Sequence, residues 1–164
     1  MKTIKRISTA TLVLIMILTA VLAIPASAVV SYDRDSDFFT DYCPDGSISA
    51  QGVSEVTTYG REGSAFTQFT HVAGNNHVTS ATVYVGSKFW HYPADTSQAN
   101  YRTTTKNNTQ SGGSGTTASV SLSGGSISSV IFSVESTHTL QYTCYNQTYP
   151  VQTVWTCAGE PAMK

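Results

Sequence analysis

Residues 65–73 (AFTQFTHVA) alternate between two sides, and that period of two is the tightest constraint the sequence places on its fold. Phe66, Gln68, Thr70 and Val72 share one side, and Ala65, Thr67, Phe69, His71 and Ala73 share the other. An amphipathic helix repeats its apolar positions every three to four residues, whereas strict alternation lines one face of a strand. Further short runs of the same type lie at 77–85 (HVTSATVYV), 116–123 (TTASVSLS), 129–135 (SVIFSVE), 139–145 (TLQYTCY) and 151–157 (VQTVWTC). Composition points the same way. Beyond residue 28, serine and threonine supply 39 residues and all nine tyrosines are retained, a mixture that suits strands with a hydroxyl-rich outer face.

The punctuation between these runs predicts their pairing. Gly74-Asn75-Asn76 offers backbone conformations with positive φ, so a hairpin is expected between 65–73 and 77–85. Residues 93–115, from Pro93 to Gly112-Gly113-Ser114-Gly115, read as a long polar loop. Asn146 to Pro150 joins the last two runs in a second hairpin, and 158–164 read as a frayed tail. The expected fold is all-β, a small antiparallel β-sandwich of about six or seven strands. It occupies residues 53–164, preceded by an acidic extended arm at 29–52 that contains the turn Pro44-Asp45-Gly46.

Residues 1–28 have the three parts of a secretory signal peptide. Lys2, Lys5 and Arg6 form a basic start, and Thr11 to Ile24 is an uncharged apolar core too short for a comfortable bilayer span of about 20 residues. Ala26-Ser27-Ala28 then supplies small residues for cleavage before Val29. No later segment could span a membrane, so a secreted protein is expected. Cleavage removes three of nine basic residues and none of ten acidic ones, taking the formal net charge from −1 to −4. A surface of that sign does not attract phosphate backbones, which argues against nucleic acid as a partner.

The three cysteines, Cys43, Cys144 and Cys157, all follow the signal, where oxidation can occur. Cys144 and Cys157 flank the second hairpin and are the first-choice pair, and Cys43 with Cys157 is the alternative. An odd count leaves one thiol free or available to join two chains covalently.

Catalytic and metal motifs are missing. Asp33, Asp35 and Asp37 open an oxygen-ligand calcium loop, but Phe38 stands where its glycine belongs and Pro44 where its glutamate belongs. They read as a solvated acidic arm. His71, His77, His91 and His138 have no ligand spacing with carboxylate or thiol. There is no G-x-S-x-G elbow, and Cys43-Pro44 has no context for a thiol hydrolase. The sequence therefore implies no cofactor, no metal and no enzyme. The candidate binding residues are Phe89, Trp90, His91 and Tyr92, leading to Pro93. They lie between a strand and a loop, where rings can stack on a sugar or enter a partner's pocket, or else close the core. Tyr145, Tyr149 and Trp155 admit the same two readings.

One family enters at this point. The stretch His77-Val78-Thr79-Ser80-Ala81-Thr82-Val83-Tyr84-Val85-Gly86, followed by Gly115-Thr116-Thr117-Ala118-Ser119-Val120-Ser121, resembles the lactococcin 972-like bacteriocins, small secreted β-sandwiches of Gram-positive bacteria. The resemblance covers roughly residues 66–145. It implies a compact antiparallel sandwich and an action on cell-wall synthesis through a lipid-linked precursor. The acidic arm, the cysteines and the C-terminal hairpin depart from that pattern. The function expected from residues and resemblance together is a non-enzymatic secreted protein that binds a component of a bacterial cell envelope. The alternative is a surface or matrix protein that binds glycan or another protein.

Overall fold

The computed structural model describes residues 32–57, 60–71 and 77–159. The proposed signal peptide, the Gly74-Asn75-Asn76 turn and most of the expected C-terminal tail lie outside them. Nine strands form two antiparallel sheets, and no α-helix is present among the described residues. The strands are β1 (Tyr32–Phe38), β2 (Ile48–Thr57), β3 (Glu62–His71), β4 (Val78–Pro93), β5 (Arg102–Gly112), β6 (Thr117–Ser123), β7 (Ser129–Cys144), β8 (Gln147–Thr148) and β9 (Gln152–Gly159). One sheet has the order β1-β2-β3-β6, and the other has β5-β4-β7, with both β8 and β9 paired to β7. The all-β reading stands, with more strands than the sequence suggested.

Alternation decides what the two sheets bury. Ala65, Thr67 and Phe69 of β3 face Val83, Val85 and Phe89 of β4, and Leu140, Tyr142 and Val134 of β7 complete the layer. Each of these is buried, so over its described part, residues 65–71, the period-two pattern does mark a core-facing side. The expected hairpin does not form. β3 pairs with β2 and β6, whereas β4 pairs with β5 and β7, so the two strands belong to different sheets. Both strands carry strong core faces, and stacking those faces buries them against each other.

Two other expectations are corrected. The described part of the supposed arm, residues 32–52, is structural: β1 forms an edge strand in full register with β2, from Tyr32↔Thr57 to Phe38↔Gln51, and the boundary at 52 falls inside β2. The supposed long loop at 93–115 contains β5, paired with β4 from Ala81↔Gly112 to His91↔Arg102. Its residues RTTTKNNTQSG are nearly all exposed, so this strand is set by backbone pairing along an edge and has no apolar periodicity to reveal it.

The sandwich is closed at both sides by side chains that reach the backbone of the opposite sheet. On one side, Asp35 accepts a hydrogen bond from the Cys157 N–H at 2.7 Å, Asp33 accepts one from the Gly159 N–H, and the Gln152 amide both donates to and accepts from the Thr40 backbone at 3.0 Å. On the other, Lys106 Nζ donates to the Ser121 carbonyl at 2.5 Å and Asn108 donates to the Ser119 carbonyl at 3.1 Å. Unpaired edge groups of β9 and β6 are thereby satisfied, which removes templates for strand addition.

The disulfide joins Cys43, in the β1–β2 connection, to Cys144 at the end of β7, with Cα atoms 6.2 Å apart. Cys157 is free and exposed, so neither pairing expected from sequence occurs. Antiparallel register explains the error. Cys157 lies opposite Glu135, nine positions along β7 from Cys144, a separation of about 30 Å at strand rise. Parity also separates them, since Cys144 points into the core and Cys157 to the outer face. Tyr145 and Asn146, both at positive φ (51° and 61°), turn the chain from β7 into β8 as a primed two-residue hairpin requires.

Candidate functional site

The outer face of the β5-β4-β7-β9 sheet is ordered in rows by register. Trp155, Thr137, Gly86 and Asn107 form one row across the four strands. Cys157, Glu135, Lys88 and Thr105 form the next row on one side, and Thr153, Thr139, Tyr84 and Thr109 the row on the other. Because Gly86 has no side chain, its row is notched. The Tyr84 hydroxyl leans into the space that a Cβ at position 86 would take. Thr137 sits beside this notch, and Trp155 rises at its far side.

This arrangement makes an open groove of about 720 Å³, bordered by Tyr84, Lys88, Glu135, Thr137, Trp155 and Cys157. Trp155 is 70% exposed and pairs with no other ring among the described residues. Lys88 and Glu135 are direct cross-strand partners, yet no ion pair joins them. The ammonium instead sits 3.9 Å from the Trp90 ring centroid, a cation–π contact that leaves the Glu135 carboxylate open to the groove.

The residues singled out from sequence are distributed differently. Phe89 is fully buried in the core. Trp90 lies on the outer face, 8% exposed, covered by Lys88 and by Tyr101 at 5.1 Å between rings. His91 points inward, 6% exposed, with Nε2 hydrogen-bonded to Thr104 at 3.0 Å, and burial lowers its pKa with help from the Arg102 charge. Tyr92 packs against Phe132 at 5.9 Å. A β-bulge between Trp90 and His91, with Phe132 the extra residue on β7, turns these rings among themselves. They do not form an exposed stacking platform; Trp155 does.

Tyr149 stacks between Tyr42 and Tyr142, and Tyr145 stacks on His77 at 4.0 Å while donating to Asp45. These rings gather at the disulfide end. The first two aspartates of the D-x-D-x-D run accept backbone bonds from β9, and Asp37 accepts one from the Phe38 N–H. Among the described residues no group of three or more His, Cys, Asp or Glu side chains could hold a metal.

A second constellation is internal. His138 is fully buried, with Nδ1 2.9 Å from the Thr67 hydroxyl and Nε2 2.7 Å from the Thr156 hydroxyl. Thr156 continues to Ser54 at 2.6 Å, Ser54 to Ser136 at 2.7 Å, and Ser136 to Ser87 at 2.8 Å. The chain of hydroxyls connects both sheets through the middle of the core. Thr67 donates to the Tyr84 carbonyl, so its oxygen accepts from Nδ1–H and Nε2 becomes the acceptor for Thr156. Desolvation lowers the His138 pKa to about 4, against the opposing pull of Asp35 and Asp37. A neutral, enclosed imidazole with both nitrogens bonded has the properties of a structural tie between sheets.

Nothing local in the sequence marks either constellation. Alternation puts Tyr84, Gly86 and Lys88 on one side of β4, but only the register of β7 and β9 brings Glu135 and Trp155 beside them. Comparison with protein-family models, curated proteins and solved structures finds no match for this chain.

Proposed function

We propose that the chain is a secreted, non-enzymatic binding protein that acts at a bacterial cell envelope through the outer face of the β5-β4-β7-β9 sheet. The observation that carries this reading is the solvent-facing Trp155 indole, in a groove that also holds the Tyr84 ring laid over Gly86 and an open carboxylate. Exposed aromatic rings flanked by a few polar groups are what a binding surface needs. Export is supported by the form of residues 1–28 and by the Cys43–Cys144 disulfide, which belongs to oxidising compartments. No helix among the described residues is long and apolar enough to cross a membrane. A binding role is favoured over catalysis because the buried histidine is closed to solvent, and the outer-face thiol of Cys157 has Glu135, not an imidazole, opposite it.

The test is retention of the purified 29–164 protein on isolated Gram-positive cell walls. Retention that falls at least tenfold on Trp155→Ala supports the reading; no retention, or retention indifferent to that change, removes it. The bacteriocin-like form of the proposal rests on the resemblance around His77 to Gly86 and Gly115 to Ser121. Growth inhibition by the same preparation checks it, and binding without inhibition would reject antibacterial action while leaving envelope binding in place.

A further inference from the structure

The groove is amphipathic on a fine scale. Its apolar surfaces are the faces of Trp155 and Tyr84, and on β7 between their strands stand the Thr137 hydroxyl and the Glu135 carboxylate, with Thr105 beyond Lys88 on β5. A protein partner's hot spot needs a contiguous apolar centre that excludes water. Here the rings are separated by hydroxyls and the groove is open along its length. An extended peptide added as a strand needs free backbone edges, and the floor consists of central strands whose backbones are already paired on both sides. A pyranose ring matches the pattern better, because it presents an apolar C–H face to an indole and a rim of hydroxyls to carboxylate and threonine.

Charge narrows the class. Glu135 is open in the groove and Asp35 lies at its border, while the Lys88 ammonium is held over the Trp90 ring. The ring contact orients the Lys88 charge without cancelling it, so two carboxylates and one ammonium leave the lining with a formal net charge of −1, which opposes chains of uronate or phosphate. From Tyr84 to Lys88 the β4 floor of the groove runs about 13 Å, room for two or three linked rings in succession.

From these observations we infer that the groove binds an uncharged polysaccharide chain, one pyranose stacked on Trp155 and its hydroxyls held by Glu135 and Thr137. The inference rests on the envelope-binding reading and names the ligand class for that surface.

Cys157 provides a native reporter, since it is an exposed free thiol within the same groove. The full 29–164 protein is titrated with cellohexaose, chitohexaose and polygalacturonate, following Trp fluorescence and the rate of Cys157 alkylation. A neutral oligosaccharide should saturate, slow alkylation at least fivefold, and lose at least tenfold in affinity on Trp155→Ala. Thr137→Arg, which places a long side chain across the groove floor between Trp155 and Tyr84 while leaving the indole in place, should weaken it similarly, and polygalacturonate should bind at least tenfold more weakly. Failure of both neutral chains to bind, preference for polygalacturonate, or affinity indifferent to both substitutions would overturn the inference. Cell-wall retention that survives such a failure while still depending on Trp155 would leave the envelope reading standing with a different ligand. Loss of wall retention as well would remove both.

Discussion

His138 shows how much one residue can cost and contribute in a small core. Its ring packs on Gly52, where even a Cβ would collide with the imidazole, and its two nitrogens bind hydroxyls from β3 and β9. Gly52→Ala should therefore destabilise by about 1 to 3 kcal/mol through overpacking, read as a shift in urea midpoint at unchanged slope. The pH dependence follows from the same burial. An unfolded histidine titrates near 6.5, and His138 in the fold titrates at about 4. Between those values the unfolded chain binds more protons, so stability falls as pH drops from about 6.5 to about 4 and the loss levels off below. The full effect is at most about 3 kcal/mol and is wholly present above pH 7. Protonating Nε2 would also require Thr156 to turn its hydroxyl away. Urea midpoints at pH 7.5, 5.5 and 4.5 should decline in the native protein and decline less in His138→Gln. Equal slopes in both would show that other groups carry the dependence.

At the scale of elements, β1 depends little on packing. Residues 33–38 are exposed, and the strand is held by its ladder to β2, by the Arg34–Glu55 pair at 3.4 Å, and by the bonds from Asp33 and Asp35 to β9. Asp33→Ala with Asp35→Ala should speed amide exchange in β1 and at Cys157 and Gly159, with little change in β3 or β4. The local opening free energy of β1 should fall by about 1 to 2 kcal/mol, as expected for charge-assisted bonds near solvent. Exchange that quickens uniformly across both sheets would contradict a local latch.

The same seam explains what sequence reading could and could not reach. Core strands such as 65–71 are legible because their apolar positions alternate, and the runs 129–135 and 139–145, read as two strands, are the two ends of the single strand β7. β1 and β5 are not, because acidic and hydroxyl residues in them are ordered by pairing and by contacts more than 100 positions away, such as Asp35 with Cys157. The aromatic run at 89–93 was visible, but the partners that cover it, Lys88 and Tyr101 over Trp90 and the bulged Phe132 against Tyr92, were not. Trp155 was visible as a residue, while its neighbours Tyr84 and Glu135 belong to the groove only through strand order.

For the whole molecule, the disulfide and the two side seams act on different states. Side-chain seams stabilise the folded sandwich, whereas a bridge between residues 101 positions apart restricts the unfolded chain. A loop of that length contributes about 4 to 5 kcal/mol in the chain-entropy account, among the larger single contributions for a domain of this size. It also fixes the Cys43 turn, which carries the buried Phe39 and Ile48 on either side, against the end of β7. The Cys43→Ala, Cys144→Ala double variant should therefore lose about 15 °C in Tm. Cys157→Ser should leave Tm within a degree or two, because that thiol faces solvent and lies 3.7 Å from only one hydroxyl, Ser133. Non-reducing mass spectrometry of the exported protein supplies the covalent half of the test. Peptides bridged between Cys43 and Cys144, with the third thiol alkylatable or joined to a second chain, are the expected result. A bridge at Cys157 within one chain would require β9 to leave its register on β7, and the groove would go with it.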